Sequence, residues 1–394
     1  MDTHRVGISV IVPAYREAEN LPKLMEETAA ALGSTQWPWE VILVDDNSPD
    51  ATPAVLRSLA GEYRQFRYLV RHNEKGLSSA VLAGFALARF GILVVMDADL
   101  SHPPGAIPDL VRPLLDDRAD FVIGSRYVQG GGTQDGWGLF RQLNSAVATL
   151  LSRPFAGRVR DPMAGFLALR RSTYLQAREL SPIGYKIGLE LIVKCSARQV
   201  VEVPIFFRNR LHGKSKLTVQ EQFRYLEHLS RLYDYRFPRG SPRAKFLIAA
   251  ICGALAGYGI GGLTLKLGVG LMPAAAIGLA GMLGVIMLFF ARYARTQRQW
   301  IQSRHPWEEF FIICGIEMTA GLWTARWAYG RYPWWMVFGL AMGACVVVRY
   351  IMRKIFGHDV RGLRRDGPGM PEVKMPPPRT ALPGDGCEGT ARGH

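Results

Sequence analysis

The chain of 394 residues has room for about two or three domains, and its 48 Lys and Arg against 33 Asp and Glu give a formal net charge of +15. A balance this basic points to an anionic partner, which is nucleic acid, phospholipid or a phosphorylated substrate. Long apolar segments begin near residue 244 and divide the chain into a polar half and a membrane half, so we expect no nucleic-acid partner. The five cysteines form no CxxC pair and are expected to be reduced.

The first 125 residues alternate short apolar runs with amphipathic stretches. Such alternation predicts a largely parallel sheet covered by helices on both faces. Residues 1–5 lead directly into the first strand, so no signal peptide is expected. The strands are predicted at 8–12, 41–44, 68–71, 92–96 and 121–123, and the helices at 19–32, 51–60, 78–89 and 106–115.

Three polar motifs each follow a predicted strand directly: Pro13-Ala14-Tyr15, Asp45-Asp46 and Asp97-Ala98-Asp99. In a parallel sheet the carboxyl ends of the strands meet at one edge, and ligands bind beyond that edge. We therefore expect the three motifs to converge on one site.

The motif Asp97-Ala98-Asp99 places two carboxylates one residue apart on the same side of the backbone. Each carboxylate raises the cost of ionising the other, and a hard cation such as Mg²⁺ or Mn²⁺ would relieve that cost and also hold substrate phosphates. The alternative is a capping or turn pair before Pro103-Pro104. The motif alone leaves both interpretations open.

Residues 126–217 read as a less regular α+β extension, with helices predicted at 139–151 and 188–197 and a strand at 200–207. Residues 218–236 then form a helical pattern rich in aromatic residues, leucine and arginine. This helix either rests in a membrane interface or packs on the preceding domain, and the pattern favours neither.

Four apolar spans are predicted at 246–265, 271–291, 309–328 and 333–352, each close to the ~20 residues that cross a bilayer. Basic residues cluster before the first span, between the second and third, and after the fourth, which predicts cytoplasmic N- and C-termini. Glu317 lies inside the third span, and a structural contact between helices is favoured over a functional site. The tail rich in Pro and Gly is expected to be disordered.

Eight sequence blocks between residues 6 and 217 carry the resemblance to a known family. They are 12–17 (VPAYRE) with 20–21 (NL), 44–52 (VDDNSPDAT), 75–77 (KGL), 97–104 (DADLSHPP), 124–127 (GSRY), 161–166 (DPMAGF), 184–187 (GYKI) with Glu190, and 210–217 (RLHGKSKL). In this order they resemble glycosyltransferase family 2 and, within it, the dolichyl- or polyprenyl-phosphate mannose synthases.

The resemblance implies an α/β domain of the GT-A (nucleotide-diphospho-sugar transferase) fold with a mostly parallel central sheet. An all-α transmembrane domain of four helices, similar to the GtrA-like regions of some of these synthases, is expected to follow. The expected boundaries are 1–217 for a cytosolic transferase domain, 218–243 for an interfacial helix and linker, 244–356 for the membrane domain and 357–394 for the disordered tail.

The resemblance also implies an activity, which is the inverting transfer of mannose from GDP-mannose to a polyprenyl monophosphate of the dolichyl or undecaprenyl type. One alternative is the same reaction with another sugar nucleotide, such as UDP-glucose. The other is a non-catalytic protein that moves or presents a lipid-linked sugar. The enzyme would be a multi-pass protein of the inner or plasma membrane, with its catalytic domain in the cytoplasm and an oligomeric state that the sequence does not predict.

By the same resemblance, the guanosine pocket contains Pro13, Tyr15, Glu17, Val44 and Asp46. The alternative for Glu17 is a charge that favours the N-terminus of a helix. Lys75 and Ala98 complete the residues expected to contact the donor.

Asp97 and Asp99 are expected to hold Mg²⁺ or Mn²⁺, with Ser101 as a further metal ligand. Asp161 would shape the acceptor side. Arg126, Arg210 and Lys216 are expected to join Asp99 as catalytic groups, because three phosphates must be neutralised. The alternative for residues 208–216 is a basic patch against anionic lipid.

Overall fold

The computed structural model describes residues 7–134, 139–177, 180, 186–195, 197–208, 219–238, 240–296 and 306–355. The chain divides into two compact units, Met1–Arg236 and Phe237–His394. The predicted disordered tail lies outside the described residues. The boundaries predicted at 217, 243 and 356 remain predictions, and the helix predicted at 218–236 belongs to the first unit.

A seven-stranded sheet forms the centre of the first unit, in the strand order β3-β2-β1-β4-β7-β5-β8. Its pairs are parallel except for those of β7, which runs antiparallel to both neighbours. The mostly parallel α/β sheet expected from the sequence is therefore confirmed. The strands are β1 Ile8–Ala14, β2 Trp39–Asp45, β3 Phe66–Val70, β4 Ile92–Val95, β5 Phe121–Ser125, β6 Gly132–Thr133, β7 Leu167–Arg170, β8 Val200–Pro204 and β9 Phe206–Phe207.

Helices cover both faces of this sheet, and each helix predicted in the first unit is present within a few residues of its expected bounds. They are α1 Leu21–Gly33, α2 Thr52–Glu62, α3 Leu77–Leu87, α4 Ile107–Leu115, α5 Leu139–Ala156, α6 Arg171–Leu175, α7 Ile187–Lys194 and α8 Val219–Arg236.

The alternation of side chains along β1 explains the two-sided core. Ile8 and Val10 join a cluster with residues of α1, α2 and α4, whereas Ile11 joins a second cluster with residues of α3 and α7. Helix α3 approaches β1 closely at Gly84, where an added Cβ would lie 2.4 Å from Ile11 Cγ2. A strand buried on both faces reads as a continuous apolar run, which is why the sequence pattern located these strands.

The strand predicted at 200–207 is wrong as a single element. β8 pairs with β5 as far as Pro204, and β9 then pairs with β6 in a separate two-stranded sheet. The change of partner follows Pro204, which has no N–H to donate to a ladder. The structure also contains β7, which no sequence pattern indicated.

Four long helices make up the described part of the second unit, at α9 Gly240–Lys266, α10 Leu271–Thr296, α11 Pro306–Ala328 and α12 Trp334–Ile355. Helices α9, α10 and α12 are long and apolar enough to cross a membrane. Helix α11 coincides with the third predicted span but is not one of these three helices, and it carries four charged residues. Glu317 on α11 accepts hydrogen bonds from Nε and Nη2 of Arg349 on α12, which confirms its expected role in joining helices.

Candidate active site

The carboxyl ends of β1, β2, β4 and β5 lie at one edge of the sheet, because these strands all run in the same direction. The turns after them carry the predicted site residues Tyr15, Asp46, Asp97 and Arg126. Since β7 is antiparallel, the turn that leads into it reaches the same edge and adds Asp161. The predicted convergence of the three strand-end motifs is therefore confirmed at the level of topology.

The turns at this edge hold unusual backbone conformations. Arg16, Asn47 and Leu100 have φ values of 62°, 56° and 58°, the left-handed region that side chains with a Cβ rarely adopt. Each follows a different strand, β1, β2 or β4. Such a conformation costs roughly 1–2 kcal/mol per residue and persists where surrounding contacts enforce it, often at functional sites.

Asp45 supplies such contacts between the first two turns. Its side chain is fully buried, accepting the Ser48 N–H at 3.0 Å and the Ser48 hydroxyl. The Ser48 hydroxyl oxygen in turn accepts the Arg16 N–H at 2.8 Å. Pro13 and Val44 are register partners on adjacent strands, and both are buried. Val44 thus contributes to the core, and its side chain lines no open surface.

Asp46 is held by Arg71, which follows β3. Its Oδ1 accepts Nε of Arg71 at 2.8 Å and also Nη2, and its Oδ2 accepts the Gly76 N–H at 2.7 Å. Arg71 further donates from Nη2 to the Gly76 carbonyl at 3.0 Å. The carboxylate therefore fixes the loop that presents Lys75.

Two cations lie over the ring of Tyr15. The Cζ of Arg16 is 5.4 Å and the Nζ of Lys75 5.9 Å from the ring centroid, both within the range of a cation–π contact. Glu17 accepts a hydrogen bond from Asn20 Nδ2 at 2.7 Å, beside the start of α1. That position fits the helix-terminus alternative for Glu17 as well as a role at the site.

The pair Asp97 and Asp99 lies directly after β4 and is supported by His102. Asp99 Oδ1 accepts the Ser101 N–H at 3.1 Å, and the Asp97 N–H donates to Nδ1 of His102 at 3.1 Å. The buried imidazole stacks on Phe166 with centroids 5.2 Å apart. Burial lowers the pKa of His102 although the carboxylates of Asp97 and Asp99 oppose the shift, so the neutral ring can accept at Nδ1.

The donors at this turn suit a hard divalent cation. Asp97 is one-third exposed, and Asp99 is nearly buried next to Ala98, whose methyl group is buried too. Ser101 is fully buried, and no hydrogen-bond partner for its hydroxyl exists among the residues that the structure describes. Two carboxylates and one unpartnered hydroxyl fit a cation that completes its shell with phosphate and water. Within the same described ranges, no cluster of three or more His, Cys, Asp or Glu forms a site made by protein alone.

Arg126 is fixed by Asp161 and by two aromatic rings. Its Nε donates to Oδ2 of Asp161 at 2.7 Å and its Nη2 to Oδ1 at 2.8 Å. The guanidinium lies 5.3 Å from the Tyr127 centroid and 5.4 Å from that of Phe207. Burial would lower the pKa of Arg126, but the hydrogen bonds and charge of Asp161 outweigh it and raise the pKa. The cation is thus permanent and oriented.

The segment that leads to the remaining predicted residues starts at this site. The Arg208 N–H donates to the carbonyl of Ser101 at 3.0 Å. Arg210 and Lys216 follow two and eight residues later but lie outside the described part of the chain.

Sequence reasoning missed Arg71 and His102 as site residues. His102 stands inside the DADLSHPP block, so its position was an available signal, and Arg71 stands at a strand end like the other site residues. Arg71 binds Asp46, which lies 25 residues away along the chain, and His102 binds the backbone N–H of Asp97. Spacing along the sequence predicts neither contact.

Residues 9–175 match the family model of glycosyl transferase family 2. A dolichol-phosphate mannosyltransferase of Pyrococcus furiosus is 40% identical over 265 residues, which are 66% of this chain and 73% of the relative. Its counterpart in Saccharomyces cerevisiae is 39% identical over 241 residues, 59% of this chain and 89% of the relative.

Among solved structures, glucosyl-3-phosphoglycerate synthase from Mycobacterium tuberculosis in complex with Mn²⁺, UDP and glucosyl-3-phosphoglycerate is similar at a TM-score of 0.44. The sequence identity is 20%, over 58% of this chain and 79% of that one. A likeness this distant carries no conclusion about activity.

Proposed function

The chain belongs to glycosyltransferase family 2, in its group of dolichol-phosphate mannosyltransferases, and from this membership we propose that it transfers mannose from GDP-mannose to a polyprenyl monophosphate. The observation that carries the proposal is the pair Asp97 and Asp99 at the carboxyl end of β4, in a chain 40% identical to such an enzyme. Arg126 at the same edge supplies a fixed cation for the phosphates.

The turns after β1 and β2 would bind the nucleoside. Tyr15 offers an aromatic face for the base, with Lys75 beside it. Asp46 has about four acceptor positions, and Arg71 and Gly76 occupy three of them in the described structure. The remaining position on Oδ2 suits one N–H of a base, or a ribose hydroxyl. Recognition of guanine in particular is part of the proposal.

Asp97, Asp99 and the Ser101 hydroxyl would hold Mg²⁺ or Mn²⁺. The bound cation would neutralise the diphosphate as it leaves the sugar. His102 supports this turn by accepting a hydrogen bond from the Asp97 N–H, which holds the two carboxylates in position at the end of β4. The unpartnered Ser101 hydroxyl supports the assignment, since a buried polar group without a partner is costly unless a ligand satisfies it.

The reaction requires no strong general base. A phosphate oxygen of the polyprenyl monophosphate attacks the anomeric carbon, the bond from that carbon to the GDP oxygen breaks, and its electron pair leaves with GDP. Attack opposite the leaving group converts an α-linked donor into a β-linked product. Both carboxylate oxygens of Asp161 accept hydrogen bonds from Arg126. This supports a structural role for Asp161 beside the acceptor rather than a role in proton transfer. Catalysis then rests on alignment and charge stabilisation.

Arg210 and Lys216 would complete the phosphate site from a loop that closes over the substrates. The hydrogen bond from the Arg208 N–H to the Ser101 carbonyl supports this proposal, because the segment that leads to Arg210 then begins beside the turn that would hold the metal. Gly213 would let the loop turn, since glycine adopts positive φ without strain.

The acceptor is a lipid, and helix α8 has a surface that suits a membrane interface. Leu229 and Leu232 are buried in a cluster with residues of α5 and α7, whereas Phe223 and Leu226 are exposed. The helix therefore fits both interpretations, packing on the domain and resting in a membrane interface. One of its faces packs on the domain, and another face is apolar and uncovered. We further propose that the helices of the second unit make four spans with both termini in the cytoplasm.

The test is a transfer assay on the purified full chain with polyprenyl phosphate and either GDP-[³H]mannose or UDP-[³H]glucose. We expect label in the lipid fraction only with GDP-mannose and a divalent cation. Label from UDP-glucose alone would overturn the donor assignment. No lipid product from either donor, with GDP-mannose still bound, would favour a protein that presents or moves a lipid-linked sugar.

A further inference from the structure

The second unit has an open depression of about 390 Å³ at one end of its helices, which no step of the proposed reaction uses. The last turns of α11 and the connection to α12 line it. This is also the end at which α9 finishes, since Gly262 faces the ring of Trp334. The chain enters the unit at the opposite end of α9. The lining residues are Trp323, Arg326, Trp327, Tyr329 and Arg331.

Two arginines give the depression its charge. Arg331 is held in place, because its Nη1 donates to the Trp327 carbonyl at 2.8 Å and its Cζ lies 5.1 Å from the Trp327 ring centroid. Arg326 makes no hydrogen bond or ion pair with any residue in the described part of the chain. One cation is therefore oriented by the fold, and the other is available to a ligand.

Among the residues of the second unit that the structure describes, no carboxylate is placed to neutralise this pair. Residues 318–355 contain no Asp or Glu. Glu317 is bound by Arg349, and the helical rise puts Glu308 about 27 Å along α11 from Arg326. The charge on this end of the helices is therefore unmatched within residues 237–355, which is the condition for binding an anion.

Aromatic rings accompany the two cations. Trp323 is 72% exposed and Trp327 48% exposed, so both present broad faces at the depression. Such faces stack against the C–H groups of a sugar ring. Tyr332, Trp334 and Trp335 are exposed at the same end, a pattern typical of the level where lipid head groups begin. Guanidinium groups beside aromatic faces suit a ligand that is part phosphate and part sugar.

We propose that this depression binds the head group of a glycosylated lipid phosphate, with the phosphate at Arg326 and Arg331 and the sugar ring against Trp323. The identity of the ligand rests on the proposed function, because that reaction makes a lipid of this class. The second unit would then offer the product a binding site of its own, separate from the one in which it is formed.

The test uses the full chain in lipid nanodiscs and a polyprenyl-phosphate mannose with a photoreactive diazirine on the sugar. After irradiation, the labelled peptides are identified by mass spectrometry. We expect label in the segment 318–335, and a reduction of about tenfold or more in the double variant Arg326→Gln, Arg331→Gln. Lys266→Gln is the matched control: it removes a cation from the same end of the helices without touching the lining, and it should leave the labelling unchanged.

Competition with unlabelled lipids distinguishes a glycosylated lipid phosphate from other lipids that carry a phosphate group. Unlabelled polyprenyl-phosphate mannose should displace the probe at about tenfold lower concentration than polyprenyl phosphate or phosphatidylglycerol. Equal competition by phosphatidylglycerol would overturn the proposal and leave an ordinary phospholipid site, and absence of label from 318–335 would overturn any site. Transfer is measured separately, so label in 318–335 without transfer from GDP-mannose would overturn the proposed reaction and leave this inference standing.

Discussion

Arg126 and Asp161 form a bidentate ion pair across 35 residues, with Nε–Oδ2 and Nη2–Oδ1 distances of 2.7 and 2.8 Å. Asp161 is fully buried, and its own N–H donates to Glu202 at 2.9 Å. The antiparallel strand β7 brings the aspartate to the edge of the sheet where β5 ends. The guanidinium that is proposed to bind the phosphates is therefore held in one orientation by the protein itself.

Asp161→Ala should destabilise the first unit by about 3–5 kcal/mol, because it leaves a buried guanidinium without its partner. Thermal unfolding of the purified chain in detergent measures the loss. The matched control is Asp116→Ala, which breaks the ion pair of Asp116 with Arg118. The two side chains of that pair are 47% and 64% exposed, respectively. A pair this exposed contributes about 1 kcal/mol or less. Equal losses in the two variants would contradict the role given to Asp161.

Asp99→Asn should lower the rate of mannosyl transfer at least about 100-fold, since it removes one anionic donor for the cation at the diphosphate. Folding should be unaffected, which circular dichroism checks. Chelation with EDTA should abolish transfer in the unchanged chain, and added Mn²⁺ or Mg²⁺ should restore it. Transfer at the full rate in the variant would exclude Asp99 as a metal ligand.

Ser101→Ala separates a metal ligand from a structural hydroxyl. The hydroxyl has no partner among the described residues, so its removal should change stability by no more than about 1 kcal/mol. The concentration of Mn²⁺ that gives half-maximal transfer should rise severalfold, with little change at saturating metal. An unchanged metal requirement would show that the cation is held without Ser101.

The strand ends of the site were predictable from sequence because strands buried on both faces read as continuous apolar runs. The position of Asp161 was not, since its place at the edge depends on β7. That strand, Leu167–Arg170, contains no β-branched or aromatic residue, so its composition does not favour a strand. The resemblance named Asp161, but only the direction of β7 explains how it reaches Arg126.

The contacts that hold the site together were equally hidden from pattern reasoning. Arg71 lies 25 residues from Asp46, and spacing along a chain does not predict which side chains meet across strands. His102 accepts a hydrogen bond from the backbone N–H of Asp97, and the residue type at position 97 does not indicate such a contact. The prediction of which residues end the strands was therefore sound, whereas their supporting groups required coordinates.

Arg71→Ala should raise the KM for GDP-mannose about tenfold with a smaller effect on kcat, because it frees Asp46 and the loop that presents Lys75. Steady-state kinetics at saturating polyprenyl phosphate measures both constants. Arg67→Ala is the control, since Arg67 lies on β3, the strand that Arg71 follows, but pairs with Glu40 at 3.0 Å. The same rise in KM in both variants would indicate a general loss of folding rather than a loss at the nucleoside pocket.

Cys195 offers a direct readout of the stability of the first unit. It is fully buried, and burial, assisted by the charge of Glu190, raises the pKa of its thiol to about 12. At pH 8 its thiolate fraction is then about 1,000-fold below that of a thiol with pKa 9. Iodoacetamide should therefore label Cys195 only when the unit opens, whereas an added exposed thiol, Ser34→Cys, should react at once.

The labelling rate of Cys195 should rise roughly two to four orders of magnitude in Asp161→Ala, if opening is the global unfolding that a loss of about 3–5 kcal/mol makes more frequent. In Asp116→Ala it should change only severalfold. Peptide mass spectrometry follows Cys195 separately from the cysteines of the second unit. Fast labelling of Cys195 in the unchanged chain would contradict its burial, and an unchanged rate in Asp161→Ala would show that the ion pair with Arg126 does not hold the first unit together.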